Sequence, residues 1–196
     1  MEMCRHHEML RHYTDLLRAS IYRYGMSSWI PLADCLSETV DAFSGVSKSA
    51  EPLRGAIERM RRATGPVRSQ SYLATVAHAM LSVGQPDDAA RTLDSVFDRG
   101  AHRWILPELL RLRATIGSSF DHQDQTESLL RQSICVADEV GLPSWKLRSA
   151  FDLALLLKRR GQVGEARQAL ASAYAAFNDG FETGDLRRAR DLLAAL

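Results

Sequence analysis

A recurring punctuation limits what this chain can fold into. Glycine is followed four residues later by tryptophan at Gly25–Trp29, Gly100–Trp104 and Gly141–Trp145. A second landmark then follows at Gly45, Asp121 and Gly161, which lie 16, 17 and 16 residues beyond those tryptophans. A further unit has Gly84 in the landmark role, preceded by Gly65 and lacking a tryptophan. Successive landmarks are thus 39, 37 and 40 residues apart. A period of that size marks an array of supersecondary units, each burying its apolar face against a neighbour.

The stretches between landmarks have helical period. Ala166, Leu170, Ala173 and Phe177 fall on one stripe, as do Ala89, Leu93 and Val96, while Thr126, Leu130 and Ser133 repeat the spacing in polar-tolerant form. Alternating strands joined by hairpin dipeptides are absent, so the pattern predicts an all-helical chain. Glycine just past a helix accepts the left-handed conformation that ends it. Ser28 and Ser144 are placed to cap the helices that follow, and each tryptophan is expected to plug a seam between hairpins. Ala50, Ala89 and Ala166, five positions after their landmarks, allow close helix approach. The expected map is a helix over 3–24, hairpins over 28–63, 67–99, 103–140 and 144–178, and a closing helix over 184–196. About ten helices result; the last is capped by Thr183 and striped by Leu186, Ala189, Leu193 and Leu196.

Composition narrows the partners. An apolar content of 45% excludes a wholly disordered chain, and 25 basic against 24 acidic residues leave a net charge of +1. That balance removes the electrostatic case for direct binding of nucleic acid or an anionic membrane. Three cysteines without a close pair argue against a disulfide framework or four-cysteine zinc site, and predict a reducing compartment. No apolar run is long enough to span a bilayer, and the start, with His6, His7 and His12, does not read as a secretory signal. A cytoplasmic protein is expected.

The alternation resembles tetratricopeptide repeats, hairpins of about 34 residues organised by small residues, a turn glycine and an alanine in the second helix. Matching positions are Ala77, Ala114 and Ala154 in the first helices, then Ala89, Thr126 and Ala166, and Leu93, Leu130 and Leu170 in the second. The first unit departs, with Glu38 and Arg54 where apolar residues belong. The segments Ser144-Trp-Lys-Leu-Arg-Ser-Ala, Gly161-Gln-Val-Gly-Glu-Ala-Arg and Ala173-Tyr-Ala-Ala-Phe-Asn-Asp-Gly are more particular. They are similar to the C-terminal repeats of bacterial signalling proteins that join nucleotide cyclase or winged-helix output domains to an ATPase module, as is Leu106-Pro-Glu-Leu-Leu-Arg-Leu-Arg. The resemblance implies a right-handed α-solenoid serving protein–protein contact in bacterial signalling or transcriptional regulation. It implies no catalysis and no cofactor: no phosphate-cradling loop ending in Lys-Ser/Thr occurs, and Gly161-Gln-Val-Gly-Glu reads as a helical turn.

Candidate chemistry is sparse. Cys4, His6, His7, Glu8 and His12 include metal-ligand types, but His7 and His12 diverge by about 140° on a helix, so a solvated helix end is expected there. His78, His102 and His122 sit in separate units without a nucleophile–base spacing. Cys35 and Cys135 read as small buried residues. Arg59-Met60-Arg61-Arg62 and Lys158-Arg159-Arg160 fit helix C-terminal turns, and Asp87-Asp88 a helix start. In an array of this kind first helices line a concave groove, whose polar positions here are His78, Glu108, Arg111, Arg148 and Lys158. Their excess of cations predicts a preference for an acidic peptide or carboxylate, with ordinary solvated faces as the alternative; a ligand-sensing role would use the same groove. The first helix carries Met9, Tyr13, Leu16, Leu17 and Ile21 and resembles half a hairpin, which predicts self-association or pairing with another chain through that end.

Overall fold

Helices in this chain stop where glycine lets the backbone turn left-handed. At Gly161 φ is 77°. Its N–H donates to Lys158 O at 3.0 Å, and the Gln162 N–H donates to Leu157 O at 2.9 Å. This paired closure satisfies the last carbonyls of the helix. In the same way the Gly84 N–H donates to Leu81 O at 3.0 Å and the Gln85 N–H to Met80 O at 2.9 Å. Gly25, Gly45, Gly100 and Gly141 share the positive φ.

The computed structural model describes residues 7–119 and 123–196. Cys4, His6, Asp121 and His122, and the first residues of the helix expected over 3–24, lie outside the described residues. Among the described residues every regular element is helical. They are α1 (His7–Tyr24), a 3-10 turn (Ser27–Trp29), α2 (Ile30–Phe43), α3 (Glu51–Ser82), α4 (Pro86–Phe97), α5 (Leu106–Ser119), α6 (Gln123–Glu139), α7 (Pro143–Arg159), α8 (Val163–Tyr174) and α9 (Gly184–Ala195). They fall into two compact units, divided between Ala101 and His102.

In the first unit α1 lies antiparallel to α2, with Arg11 donating to Ser44 Oγ and Arg18 to Ser37 Oγ. The next segment departs from expectation. A boundary between hairpins is expected at 63–67, yet the backbone remains helical from Glu51 to Ser82. It cannot be straight. A straight helix would set Arg54 about 42 Å from Ser82, and Asp88, six residues on, could recover at most about 22 Å. Instead Arg54 Nη2 meets Asp88 Oδ2 at 2.8 Å, and Arg61 Nη2 meets Ser95 Oγ at 2.5 Å. Each pair is 34 residues apart, so residues 51–62 run parallel to α4. Gln70 meets Gly100 O and Met80 meets Thr92, which makes the later limb of α3 antiparallel to α4. The axis therefore reverses between Arg62 and Gln70. Gly65 and Pro66 fall in that interval of the sequence. What the sequence reading misses is that no non-helical linker separates the two limbs.

The second unit repeats the pattern. Lys146 meets Asp138, and Arg160 Nη1 meets Glu127 Oε2 at 2.6 Å, tying α6 and α7 in antiparallel sense. Arg131 on α6 also reaches Glu165 on α8 across 34 residues. α9 runs alongside α7, with Arg148 near Asp185 at one end and Lys158 Nζ donating to Ala195 O at the other. The core between these helices holds Ala114, Leu130, Leu147, Leu153, Leu157, Ala166 and Leu170.

The repeat positions all point inward. Ala77, Ala114 and Ala154 are buried, as are Ala89, Thr126 and Ala166, and Leu93, Leu130 and Leu170. The hydroxyl of Thr126, standing where alanine is expected, donates to Ala114 O at 3.4 Å. In α9 the buried stripe is Leu186, Ala189 and Leu192, and Leu193 and Leu196 are only half-buried. Trp145 is 5% exposed and fills a seam as expected; Trp104, 47% exposed, does not. Ser28 lies inside the 3-10 turn, and α7 starts at Pro143 with Leu142 as N-cap, so neither Ser28 nor Ser144 caps a helix. Thr183 does occupy the N-cap of α9, without a side-chain capping bond.

Candidate functional site

Three residues expected along an open groove lie inside the second unit. Glu108 and Arg111 are one turn apart on α5, which puts them on one face. Arg111 Nε and Nη2 donate to the Glu108 carboxylate at 2.8 and 2.7 Å, and Arg111 Nη1 donates to Asp152 on α7 at 2.6 Å. Arg148 on α7 adds its Nη2 at 3.0 Å from the same Glu108 oxygen, and its Nε lies 3.9 Å from Asp185 on α9. Glu108, Arg111 and Arg148 are 5%, 2% and 4% exposed.

Burial would lower the pKa of each arginine, and the neighbours decide the outcome. Around Arg111, Glu108 and Asp152 outweigh desolvation and hold the guanidinium above its ordinary value. Arg148 falls below its ordinary value, because desolvation dominates and Arg111 repels it while sharing Glu108. The Nε of Arg148 is buried without a hydrogen bond, and its guanidinium lies 5.4 Å from the Trp145 ring centroid. Arg111 is 2% exposed and already paired with two carboxylates, so it offers neither access nor unbalanced positive charge to a bound acid. The cluster joins three helices; it does not present a cationic groove.

The remaining groove candidates are scattered. Lys158 is exposed and donates to Ala195 O at 3.1 Å, while His78 is half-buried against Phe43 in an edge contact with centroids 5.1 Å apart. Arg188 lies over Phe151 at 4.6 Å from the ring centroid. Cys35 is buried as expected; Cys135 is exposed, and its thiol donates to Glu139 at 3.5 Å. That hydrogen bond, with the charge of Glu139, raises the Cys135 pKa and suppresses its thiolate. Arg59 and Arg61 sit within α3, whereas Lys158 and Arg159 do occupy the last turn of α7, and Asp87 and Asp88 the first turn of α4. Among the described residues no three His, Cys, Asp or Glu side chains are placed to hold a metal ion, and no helix is long and apolar enough to cross a membrane.

The first unit offers a different surface. α1 buries Leu10, Thr14 and Ile21 against its own chain, so Ile21, expected on the free face, belongs to the packed one. Leu17 is half-buried between the two. Met9, Tyr13 and Leu16, spaced four and three residues apart, form a separate stripe that is 38%, 47% and 48% exposed. On the other flank of α1, a cleft of about 430 Å³ opens against the start of α2. Its lining includes Arg18, Ile21, Tyr22, Ile30, Ala33 and Asp34. Tyr22 and Ile30 on its rim are exposed.

Comparison with family models, with curated proteins and with solved structures yields no match.

Proposed function

We propose that this chain works by contact, as a non-catalytic helical-repeat scaffold for protein partners, with α1 as its contact surface. One observation carries the reading: the Met9, Tyr13 and Leu16 stripe is apolar, contiguous on a helix face, and turned away from the core. Such a face on a helix end-piece is what a partner helix covers. The finer architecture we infer is a right-handed solenoid of tetratricopeptide-like hairpins. Pairings 34 residues apart in both units support it, as does the burial of every repeat position from Ala77 to Leu170. A regulatory setting in bacterial cytoplasmic signalling or transcription control rests on the sequence resemblance alone.

The acidic-ligand alternative loses its anchor, because Arg111 is buried against two carboxylates of its own chain and Arg148 is buried beside it. Immobilised chain should retain a partner protein that Tyr13→Asp with Leu16→Asp fails to retain. Arg187→Glu with Arg190→Glu on α9 should retain it undiminished. Equal retention by both double variants overturns α1 as the contact surface.

A further inference from the structure

The geometry points to a second copy of this chain as the occupant of the α1 face, with the two α1 helices antiparallel. This deepens the scaffold reading and rests on it. Met9, Tyr13, Leu16 and the half-buried Ser20 define a seam along α1. Successive residues turn by about 100°, which places Glu8, His12, Ala19 and Arg23 together along one edge of that seam. Glu8 is in the first turn of α1 and Arg23 in the last, about 22 Å apart along the axis.

The occupant follows from that charge placement. Antiparallel helices bring the same edge of each together, running in opposite directions. When Tyr13 packs on Leu16 of the second copy, Met9 packs on Ser20 and Glu8 comes to lie near Arg23, at both ends of the seam. A parallel arrangement would set this edge of one copy against the opposite edge of the other, which carries Leu10 and Leu17 and packs on the chain's own core, so Glu8 and Arg23 would not meet. The helix dipoles also oppose favourably in the antiparallel arrangement. Ser20 supplies the small contact against Met9, and Ala19 on the charged edge leaves room for His12. The exposed aromatic Tyr13 lies near the centre of the seam, where a contact is driest.

Sedimentation of the full chain tests this. The wild type should show a concentration-dependent monomer–dimer equilibrium, and Tyr13→Asp with Leu16→Asp should be monomeric with unchanged helicity. Glu8→Arg and Arg23→Glu should each weaken the dimer, on the order of tenfold, since each places like charges at both ends. The two substitutions together in one chain should restore it, because the exchanged charges then face their opposites in the antiparallel register only. A wild type that stays monomeric at millimolar concentration, a dimer indifferent to Tyr13 and Leu16, or a double reversal that fails to restore association overturns the proposal. A monomeric chain that still holds another protein on the stripe overturns only the second copy, whereas one that holds nothing there overturns the scaffold reading as well.

Discussion

The helices at the two ends of the described fold, α1 and α9, each pack along one side and turn the other outward, and they treat that outward side differently. On α9 the exposed residues are Arg187, Arg188, Arg190, Asp191, Ala194 and Ala195, and its buried stripe is complete with Leu186, Ala189 and Leu192. On α1 the outward residues include Met9, Tyr13 and Leu16 beside arginines. A polar outer face gives a further helix nothing to bury against, whereas an apolar one offers a surface to cover. The polar ties differ in burial: Asp185 of α9 reaches toward Arg148, which meets the buried carboxylate of Glu108, whereas α1 is tied to α2 by Arg11 and Arg18 at exposed positions.

The comparison can be broken at its strongest point first. Glu108→Ala leaves Arg111 with one carboxylate and Arg148 with only the distant Asp185. Urea denaturation should show a loss of about 3–5 kcal/mol, with hydrogen exchange rising along α5, α7 and α9. A loss below about 1 kcal/mol would mean the cluster does not anchor α9. Next, Leu186→Ala empties a buried site under α9 and should cost about 2–3 kcal/mol. Gly161→Ala places a Cβ on a residue with φ of 77°, and should cost about 1–2 kcal/mol by thermal melt. On α1, Tyr13→Asp should change monomer stability by no more than about 0.5 kcal/mol. A large loss there would show that the stripe belongs to the chain's own core, and the contrast between the ends would vanish. The smallest effect is a rate. Cys135 should be alkylated slowly near neutral pH despite its exposure, because Glu139 raises its pKa. Glu139→Gln removes the charge, so the midpoint of the rate against pH should fall; peptide mapping identifies the site.

Glycine spacing made the helix ends legible because a left-handed residue is a local requirement, met or broken within a few residues. Buried alanines and leucines were legible for a similar reason, since their stripe repeats at helical period. The cluster was not. Glu108, Arg111 and Arg148 each look like polar residues on a first helix, and what buries them is a partner on another helix. Asp152, four residues after Arg148, was the available signal: opposite charges on one helix face beside Glu108 and Arg111 on another. The reversal within α3 was half legible. Gly65 and Pro66 mark a place where a helix bends, but local chemistry does not say whether the backbone leaves the helical conformation to do so. At α1 the difficulty was one of angle: Ile21 and Leu16 are both apolar, and only the position of α2 decides which of them faces it.

The 34-residue offset of the pairings also bears on how quickly such a chain finds its structure. Arg54 with Asp88, Arg61 with Ser95 and Arg131 with Glu165 all close the same length of chain, and Arg111 with Asp152 closes only 41 residues. Loops of that size differ little in closure entropy. No pairing among these has to wait for a distant part of the chain to arrive. Contacts of such short range belong to topologies that fold in microseconds to milliseconds. A lesion that weakens one of these pairings should therefore slow the closure of its own loop and leave the others free to form.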